Sequence, residues 1–247
     1  MAGSVNSAPA LKRSLARPMI PKVADVDPFR PSEYTGLLIH ALRTRTPHYA
    51  RRTGLDMGTG SGVLLGVMGS LGVERLWGID IDPAAIHASR RLMQSLGMTD
   101  RTQLLVGSMW EPLKDERFDV VVANLPNFAA TTPSDPDHSQ YWSMGGADGR
   151  RWIDPFLAGL RPHLHDDAVA FMTHNVFAGI SQTEAVLASE GLTVRVINTT
   201  TTMLHPMKSA LLSQAVRAKA QGTALTRIGA YEFAEVQVLE IRPVPAA

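Results

Sequence analysis

The feature that most constrains the fold is a glycine-rich turn directly after a short apolar run. Leu55, Asp56 and Met57 read as the end of a buried strand, and glycines follow at positions 58, 60 and 62. An apolar helix is predicted from about residue 61 to residue 71. Glycine accepts positive φ and lets the backbone approach a ligand, and a helix N-terminus offers free N–H groups. The turn therefore predicts a ligand site at a strand–helix junction.

The residues around this turn argue against a nucleotide phosphate as the ligand. Asp56 stands where the strand enters the turn, and its carboxylate repels phosphate while favouring a cationic or amine-bearing ligand. No Gly-Lys-Ser/Thr follows, as a P-loop requires, and the spacing is G-x-G-x-G rather than the dinucleotide G-x-G-x-x-G.

Strand and helix patterns alternate along most of the chain. Phe118–Ala123 is apolar at five of six positions, which indicates a central strand buried on both faces. The alternation predicts an α/β domain over residues 31–243, preceded by a flexible or capping extension at 1–30. The other predicted strands are 53–57, 73–80, 103–107, 168–174, 192–200 and 231–241, and the other predicted helices are 33–45, 83–96, 151–160, 181–190 and a basic one at 207–220.

Composition narrows the class of protein. With 247 residues, 45% of them hydrophobic, the chain can bury one sizeable core. Lys and Arg number 24 against 23 Asp and Glu, so charge does not indicate a nucleic-acid partner. There is no cysteine, no apolar run long enough for a membrane span and no signal-peptide core, so we expect a cytoplasmic protein without membrane contact. No sequence feature indicates an oligomeric state.

Two acidic residues follow the second predicted strand. Asp80 ends the strand, where a carboxylate can accept hydrogen bonds from both hydroxyls of a ribose. Asp82 is predicted to cap the next helix, with Pro83 at its first position.

Residues 56–62 resemble the first motif of class I S-adenosylmethionine (SAM) dependent methyltransferases, and residues 78–83 are similar to the second. The resemblance implies a Rossmann-like fold with a seven-stranded, mostly parallel sheet and a C-terminal antiparallel hairpin, and SAM as co-substrate. It implies that Asp56 contacts the amino group of SAM directly or through water. The other implied cofactor contacts are Gly58, Gly60, Asp80 at the ribose, Ile81 at the adenine, Ser108, Met109 and Asn124, with Trp110 either stacking on adenine or lying in the core.

The segment Asn124-Leu-Pro-Asn-Phe128 resembles the Asn-Pro-Pro-Tyr signature of methyltransferases that act on planar nitrogens. The resemblance implies that Asn124, Pro126 and Asn127 form the catalytic site, with Asn124 accepting a hydrogen bond from the target NH₂. Asn127 occupies the aromatic position and Phe128 comes one residue later, so stacking on a planar group is left open. The acceptor can therefore also be a small amine, an amino acid or a hydroxyl.

Two further segments are similar to the release-factor glutamine methyltransferases: Arg30-Pro31 and Gly145-Gly-Ala-Asp-Gly149. Around this site we expect a substrate pocket walled by Tyr34, Phe128, Tyr141, Trp142 and His174. His174 is either a proton acceptor or a structural histidine at a strand end. The acidic residues and histidine at 135–138 lie in one polar turn and are interpreted as solvated, so no metal site is predicted.

Three functions remain open from the sequence. The first is methyl transfer from SAM to an amine, amide or other small nucleophile. The second is cyclisation of SAM itself, as in azetidine-2-carboxylate synthases, which releases methylthioadenosine. The third is a non-catalytic module that binds SAM or RNA.

Overall fold

The computed structural model describes residues 30–45, 49–130, 144–220 and 224–245. The strands in these ranges form one sheet with the spatial order β3-β2-β1-β4-β5-β8-β6, and β7 pairs with β8. The strands are β1 (Thr53–Met57), β2 (Arg75–Asp80), β3 (Thr102–Val106), β4 (Phe118–Ala123), β5 (Leu164–Asn175), β6 (Leu192–Leu204), β7 (Leu225–Ile228) and β8 (Tyr231–Pro243). The α-helices are α1 (Glu33–Arg45), α2 (Val63–Ser70), α3 (Pro83–Ser95), α4 (Ile153–Leu160), α5 (Ile180–Ser189), α6 (Pro206–Leu211) and α7 (Gln214–Ala220).

The sheet is parallel from β3 through β5 and antiparallel where β8 pairs with β5 and β6. This confirms the predicted fold class: a mostly parallel sheet whose last strand is inserted beside the sixth. The predicted extension at residues 1–30 lies outside the described residues, except for Arg30.

The sheet has eight strands where seven were predicted. The additional strand is β7, which pairs with the start of β8 from Leu225↔Ala234 to Ile228↔Tyr231. Gly229 makes the connecting turn with φ of 60°. The prediction was wrong here because β7 is short and three of its four residues are exposed, so it lacks the apolar run of a buried strand.

The predicted basic helix over 207–220 is two helices. Between α6 and α7, Leu212 has an extended backbone with ψ of 125°, and its side chain is buried in a cluster that includes Phe128 and Phe177. Ser213 Oγ accepts a hydrogen bond from the N–H of Val216 and begins α7. Burial of one leucine thus interrupts a segment whose composition alone favours a continuous helix.

The core lies on both faces of the sheet. In β4, Val121 and Ala123 join the cluster that contains α4, whereas Val120 and Val122 join the cluster that contains α1 and α2. This alternation explains why β4 is apolar at nearly every position. Among the described residues, none of the helices combines the length and apolarity required to cross a membrane.

We expect Phe171→Ala to lower the free energy of unfolding by about 3–5 kcal/mol, because Phe171 is fully buried in central strand β5 and its loss leaves a cavity. Urea unfolding measures the change. Val196→Ala, an apolar truncation at a half-exposed site in edge strand β6, serves as the control and should cost less than about 1 kcal/mol. Equal losses in the two variants would contradict the assignment of the core.

Candidate cofactor and acceptor site

A cavity of about 610 Å³ lies at the carboxyl ends of β1, β2 and β4. Open α/β sheets bind ligands at this edge. The cavity brings together residues that the sequence placed in three separate motifs. Its lining includes Met57, Gly58, Gly60, Asp80, Ile81, Ser108, Met109, Asn124 and Pro126.

The glycine turn has the backbone that only glycine adopts readily. The φ angles of Gly58, Gly60 and Gly62 are 73°, 52° and 81°. A Cβ on Gly62 would lie 2.9 Å from Ser89 Oγ, and the Ser89 hydroxyl donates a hydrogen bond of 2.8 Å to the carbonyl oxygen of Gly60. Close packing of α3 therefore fixes the shape of the turn. Sequence reasoning missed Ser89, since nothing local to it signals this contact.

Asp80 connects the glycine turn to the end of β2. Its Oδ2 accepts from the N–H of Gly60 at 2.9 Å, and its Oδ1 accepts from the N–H of Asp82 at 3.0 Å. Burial raises the pKa of Asp80, and these two hydrogen bonds oppose the rise. Each carboxylate oxygen retains a further lone pair, so both can still accept from ligand hydroxyls.

Asp56 is fully buried and does not line the cavity, although Met57 and Gly58 do. Its Oδ2 accepts from Thr59 Oγ1 at 2.9 Å, and its Oδ1 has no hydrogen-bond partner among the described residues. Burial raises the pKa of Asp56 to about 7, because an ionised carboxylate is poorly solvated there. Contact with a ligand amino group remains a prediction, and the water-mediated form suits this buried position.

Two apolar side chains line the cavity next to Asp80 and Ser108. Ile81 is 59% exposed and lines the cavity with Ser108 and with Met109, whose φ is 49°. An exposed isoleucine beside Asp80 is suited to a flat ring such as adenine. The contacts of Ile81, Ser108 and Met109 with a cofactor remain predictions.

Trp110 is half-buried and packs against the core, which favours the second of the two interpretations open from the sequence. Its indole stacks on Phe156 and His163 at centroid distances of 5.5 and 4.5 Å, and Nε1 donates to the carbonyl oxygen of Phe156. A Cβ on Gly159 would lie 2.1 Å from the indole. Trp110 is absent from the lining of the cavity, so adenine stacking finds no support in this geometry.

A second cavity of about 430 Å³ shares Asn124, Leu125 and Pro126 with the first. Asn124 Oδ1 accepts from Thr173 Oγ1 at 2.9 Å, and Asn124 Nδ2 donates to Thr35 Oγ1 at 3.4 Å. These two threonines fix the orientation of the Asn124 amide between the cavities. Tyr34, Asn127 and Phe128 also line the second cavity.

Asn127 and Phe128 are held by the glycine loop at residues 145–149. The N–H of Gly145 donates to the carbonyl oxygen of Phe128 at 2.8 Å. A Cβ on Gly149 would lie 2.7 Å from the carbonyl oxygen of Asn127. This close approach explains why glycines stand in the loop. Tyr141 and Trp142, predicted in the substrate pocket, lie outside the described residues.

His174 is fully buried and lines neither cavity. Its Nε2 lies 3.0 Å from Thr183 Oγ1, and its Nδ1 has no hydrogen-bond partner among the described residues. Burial lowers the pKa of His174 to about 4, with a contribution from the charge of Arg150. His174 is therefore placed as a structural histidine at the end of a strand, and the structure does not place it in the wall of the predicted substrate pocket.

Arg150 is a buried residue that sequence reasoning missed. Its Nη1 donates to the carbonyl oxygen of Ala178 at 2.7 Å and to Thr183 Oγ1 at 3.0 Å, while Nε donates to Asp154 Oδ1 at 2.9 Å. Arg150 thereby attaches the end of the glycine loop to α4 and to the start of α5. Its burial depends on contacts with residues that are distant in the sequence, so the residues next to Arg150 in the chain do not indicate it.

In the described ranges, no three His, Asp or Glu side chains come together in an arrangement that could hold a metal ion. The acidic residues and histidine at 135–138 lie within the part of the chain that is not described.

The sequence of this chain is similar to those of two kinds of methyltransferase. The family model described as ribosomal protein L11 methyltransferase (PrmA) matches residues 33–127. The chain is 31% identical over 139 residues to the release factor glutamine methyltransferase of Moorella thermoacetica, covering 53% of this chain and 49% of that protein. It is 46% identical over 71 residues to the ribosomal protein L11 methyltransferase of Haemophilus influenzae, covering 29% of this chain and 23% of that protein.

A solved structure shows the same fold at low sequence identity. The Mtq2–Trm112 complex of E. cuniculi, described as responsible for methylation of the termination factor eRF1, matches with a TM-score of 0.55 and 18% identity. That match covers 87% of this chain and 97% of the other.

These likenesses confirm the resemblance to class I SAM-dependent methyltransferases, and the chain has the fold of that class. The curated relatives are themselves named as methyltransferases. The chain spans about half or less of the length of the curated relatives it matches.

The buried His174 predicts a specific pH dependence of stability. Its folded pKa of about 4 lies below the ordinary value of 6.5, so the unfolded chain binds a proton that the folded chain excludes. The contribution of His174 to the free energy of unfolding is therefore lost as pH falls from about 6.5 to 4, by up to about 3 kcal/mol, whereas the raised pKa of Asp56 acts in the opposite direction.

Urea unfolding of the wild type and of His174→Gln at a series of pH values measures how much His174 contributes to the pH dependence of the free energy of unfolding. As pH falls across that interval, we expect the free energy of unfolding of the wild type to fall relative to that of the variant, whatever the stability of the variant at neutral pH. Parallel curves for the two proteins would show that His174 does not titrate differently in the two states.

Proposed function

We propose that this protein is a SAM-dependent methyltransferase that methylates an amide or amine nitrogen of a protein substrate. One observation carries the proposal. Asn124 lies between two adjoining cavities, one built on the glycine turn and Asp80, the other on the acceptor motif. A donor in the first cavity and an acceptor in the second would meet at this residue.

The first cavity has the groups that SAM requires. The carboxylate of Asp80 would accept from the ribose hydroxyls, Ile81 would lie against the adenine, and Gly58 and Gly60 would border the amino-acid portion. These residues all line the same cavity. The sulfonium of SAM is already a strong electrophile, so the protein supplies mainly alignment and exclusion of water.

The acceptor nitrogen would be aligned by the Asn124 side chain. Its Oδ1 is held by Thr173 and retains a second lone pair, which can accept from the target NH₂. In the reaction the nitrogen lone pair forms the new N–CH₃ bond, the S–CH₃ bond breaks, and the nitrogen releases a proton. The products are a methylated nitrogen and S-adenosylhomocysteine.

A protein acceptor is favoured by the relatives. Two of them are named for protein substrates, a release factor and ribosomal protein L11. The comparisons do not support a small-molecule acceptor, which the sequence left open.

The proposal is tested by product analysis. The protein is incubated with radiolabelled SAM and with release factors or ribosomes from cells that lack the corresponding methyltransferases. We expect labelled protein together with S-adenosylhomocysteine. Asn124→Ala should lose at least 100-fold in rate with a much smaller loss of SAM affinity, because truncation removes acceptor alignment while Asp80 and the glycine turn still line the first cavity. Asp80→Ala should lose SAM binding itself.

Other products would overturn the proposal. Methylthioadenosine formed from SAM alone indicates cyclisation. Saturable SAM binding without transfer to any protein indicates a binding module, and salt-dependent RNA binding would specify its kind.

Asp56 predicts how SAM affinity varies with pH. With a pKa of about 7 in the free protein, Asp56 is largely protonated below that value, whereas the ammonium group of SAM favours the carboxylate. Affinity should therefore increase by up to about tenfold per pH unit from 5.5 to 7 and then level off.

Calorimetry in buffers of different ionisation enthalpy should show a proton released on binding near pH 6. Asp56→Asn should abolish both the release and the pH dependence. An unchanged pH profile in Asp56→Asn would show that the carboxylate does not respond to the ligand.

A further inference from the structure

We propose that Lys208 determines acceptor specificity by binding a carboxylate that the substrate carries beside its methyl-accepting nitrogen. The inference rests on the proposed function and assigns a role to the segment between β6 and β7, which the function described above does not use.

Lys208 lies in α6 and lines the second cavity together with Tyr34, Asn124 and Phe128. Its Nζ lies 5.8 Å from the centroid of the Phe128 ring. A cation above an aromatic face is attracted by the ring, which restrains the ammonium at the cavity wall. The same cavity thus has an amide at one place, suited to a nitrogen, and the Lys208 cation at another, and it is also lined by Arg30 and Glu33.

The ammonium of Lys208 is only partly hydrated. Burial lowers the pKa of Lys208, and the charge of Glu33 opposes part of this effect. Within the described residues Lys208 forms no ion pair, since neither Glu33 nor another carboxylate lies within 4.0 Å of Nζ. A partly desolvated cation gains most from an anionic ligand that replaces the lost hydration.

Arg217, one of the two cations of the neighbouring helix α7, provides a contrast. Its Nη1 lies 3.0 Å from Glu232 Oε1, and its Nη2 donates to Ser209 Oγ at 2.7 Å. These contacts stabilise the segment itself. Arg217 therefore holds α6 and α7 together, whereas Lys208 presents its charge to the cavity.

The position of Lys208 defines the class of substrate. A nitrogen at Asn124 and a carboxylate at Lys208 must belong to one molecule, because both residues line one cavity of about 430 Å³. The carboxylate can come from an acidic residue next to the acceptor in a protein, or from the α-carboxylate of a free amino acid. The chemistry is shared, and the experiment separates the two sources.

The experiment uses the full chain with S-adenosylhomocysteine bound. Three probes are compared by calorimetry: a peptide with glutamate beside a glutamine, the same peptide with a second glutamine in place of glutamate, and free L-glutamine. We expect the glutamate peptide to bind about tenfold more tightly than its neutral counterpart. Tighter binding of free L-glutamine than of either peptide would assign the carboxylate to the amino acid itself.

Three variants test whether Lys208 causes the preference for the glutamate peptide. Lys208→Met keeps the length and apolar contact but removes the charge, and it should bind both peptides equally. Lys208→Arg should retain the preference. Lys219→Met, at an exposed position of α7, should behave as wild type. SAM affinity should be unchanged in all three, which excludes general damage to the site.

The outcomes distinguish this inference from the proposed function. A charge preference that Lys208→Met removes supports the inference even if no methyl transfer is observed with SAM. Methyl transfer to the peptides with equal binding of acidic and neutral probes overturns the inference and leaves the proposed function intact. Absence of binding by all three probes overturns the inference as well.

Discussion

Thr173 of β5 orients both asparagines of the segment 124–128. The hydroxyl of Thr173 donates to Asn124 Oδ1 at 2.9 Å, and its backbone carbonyl accepts from Asn127 Nδ2 at 2.9 Å. Both asparagines are therefore oriented by a strand rather than by their own turn. Strands hold side chains more rigidly than loops do, and alignment is the main contribution that a protein makes to methyl transfer.

The glycine loop and its buried arginine give further support to the segment 124–128. Gly145 and Gly149 bring the loop against the backbone of Asn127 and Phe128, and Arg150 attaches the loop to α4 and α5. The acceptor motif is thus held from two sides. On the cofactor side, the carboxylate of Asp80 performs the same task for the glycine turn through hydrogen bonds to backbone N–H groups.

Features that depend on local pattern could be predicted from the sequence, and features that depend on distant packing could not. The bounds of β1 and β4 follow from apolar runs next to a glycine turn and an asparagine, and the structure has them where they were predicted.

The role of Trp110 remained undecided, because its stacking on Phe156 and His163 joins residues far apart in the chain. Arg150 and Thr173 were missed for the same reason, since an arginine after a loop and a threonine in a strand have no distinctive local signature. The break at Leu212 was missed because the pattern of an amphipathic helix continues through it.

The insertion of β8 between β5 and β6 has a consequence for the way the chain assembles. Within the described residues, β6 pairs with β8 alone, and β8 also covers the free edge of β5. During synthesis, residues 192–204 are made before residues 231–243, so β6 has no partner strand and β5 keeps an open edge until β8 is available. Unpaired strand edges are the sites at which incomplete chains associate with one another. The order of strands in space therefore makes β8, which is synthesised after both of its neighbours, the strand that closes the sheet.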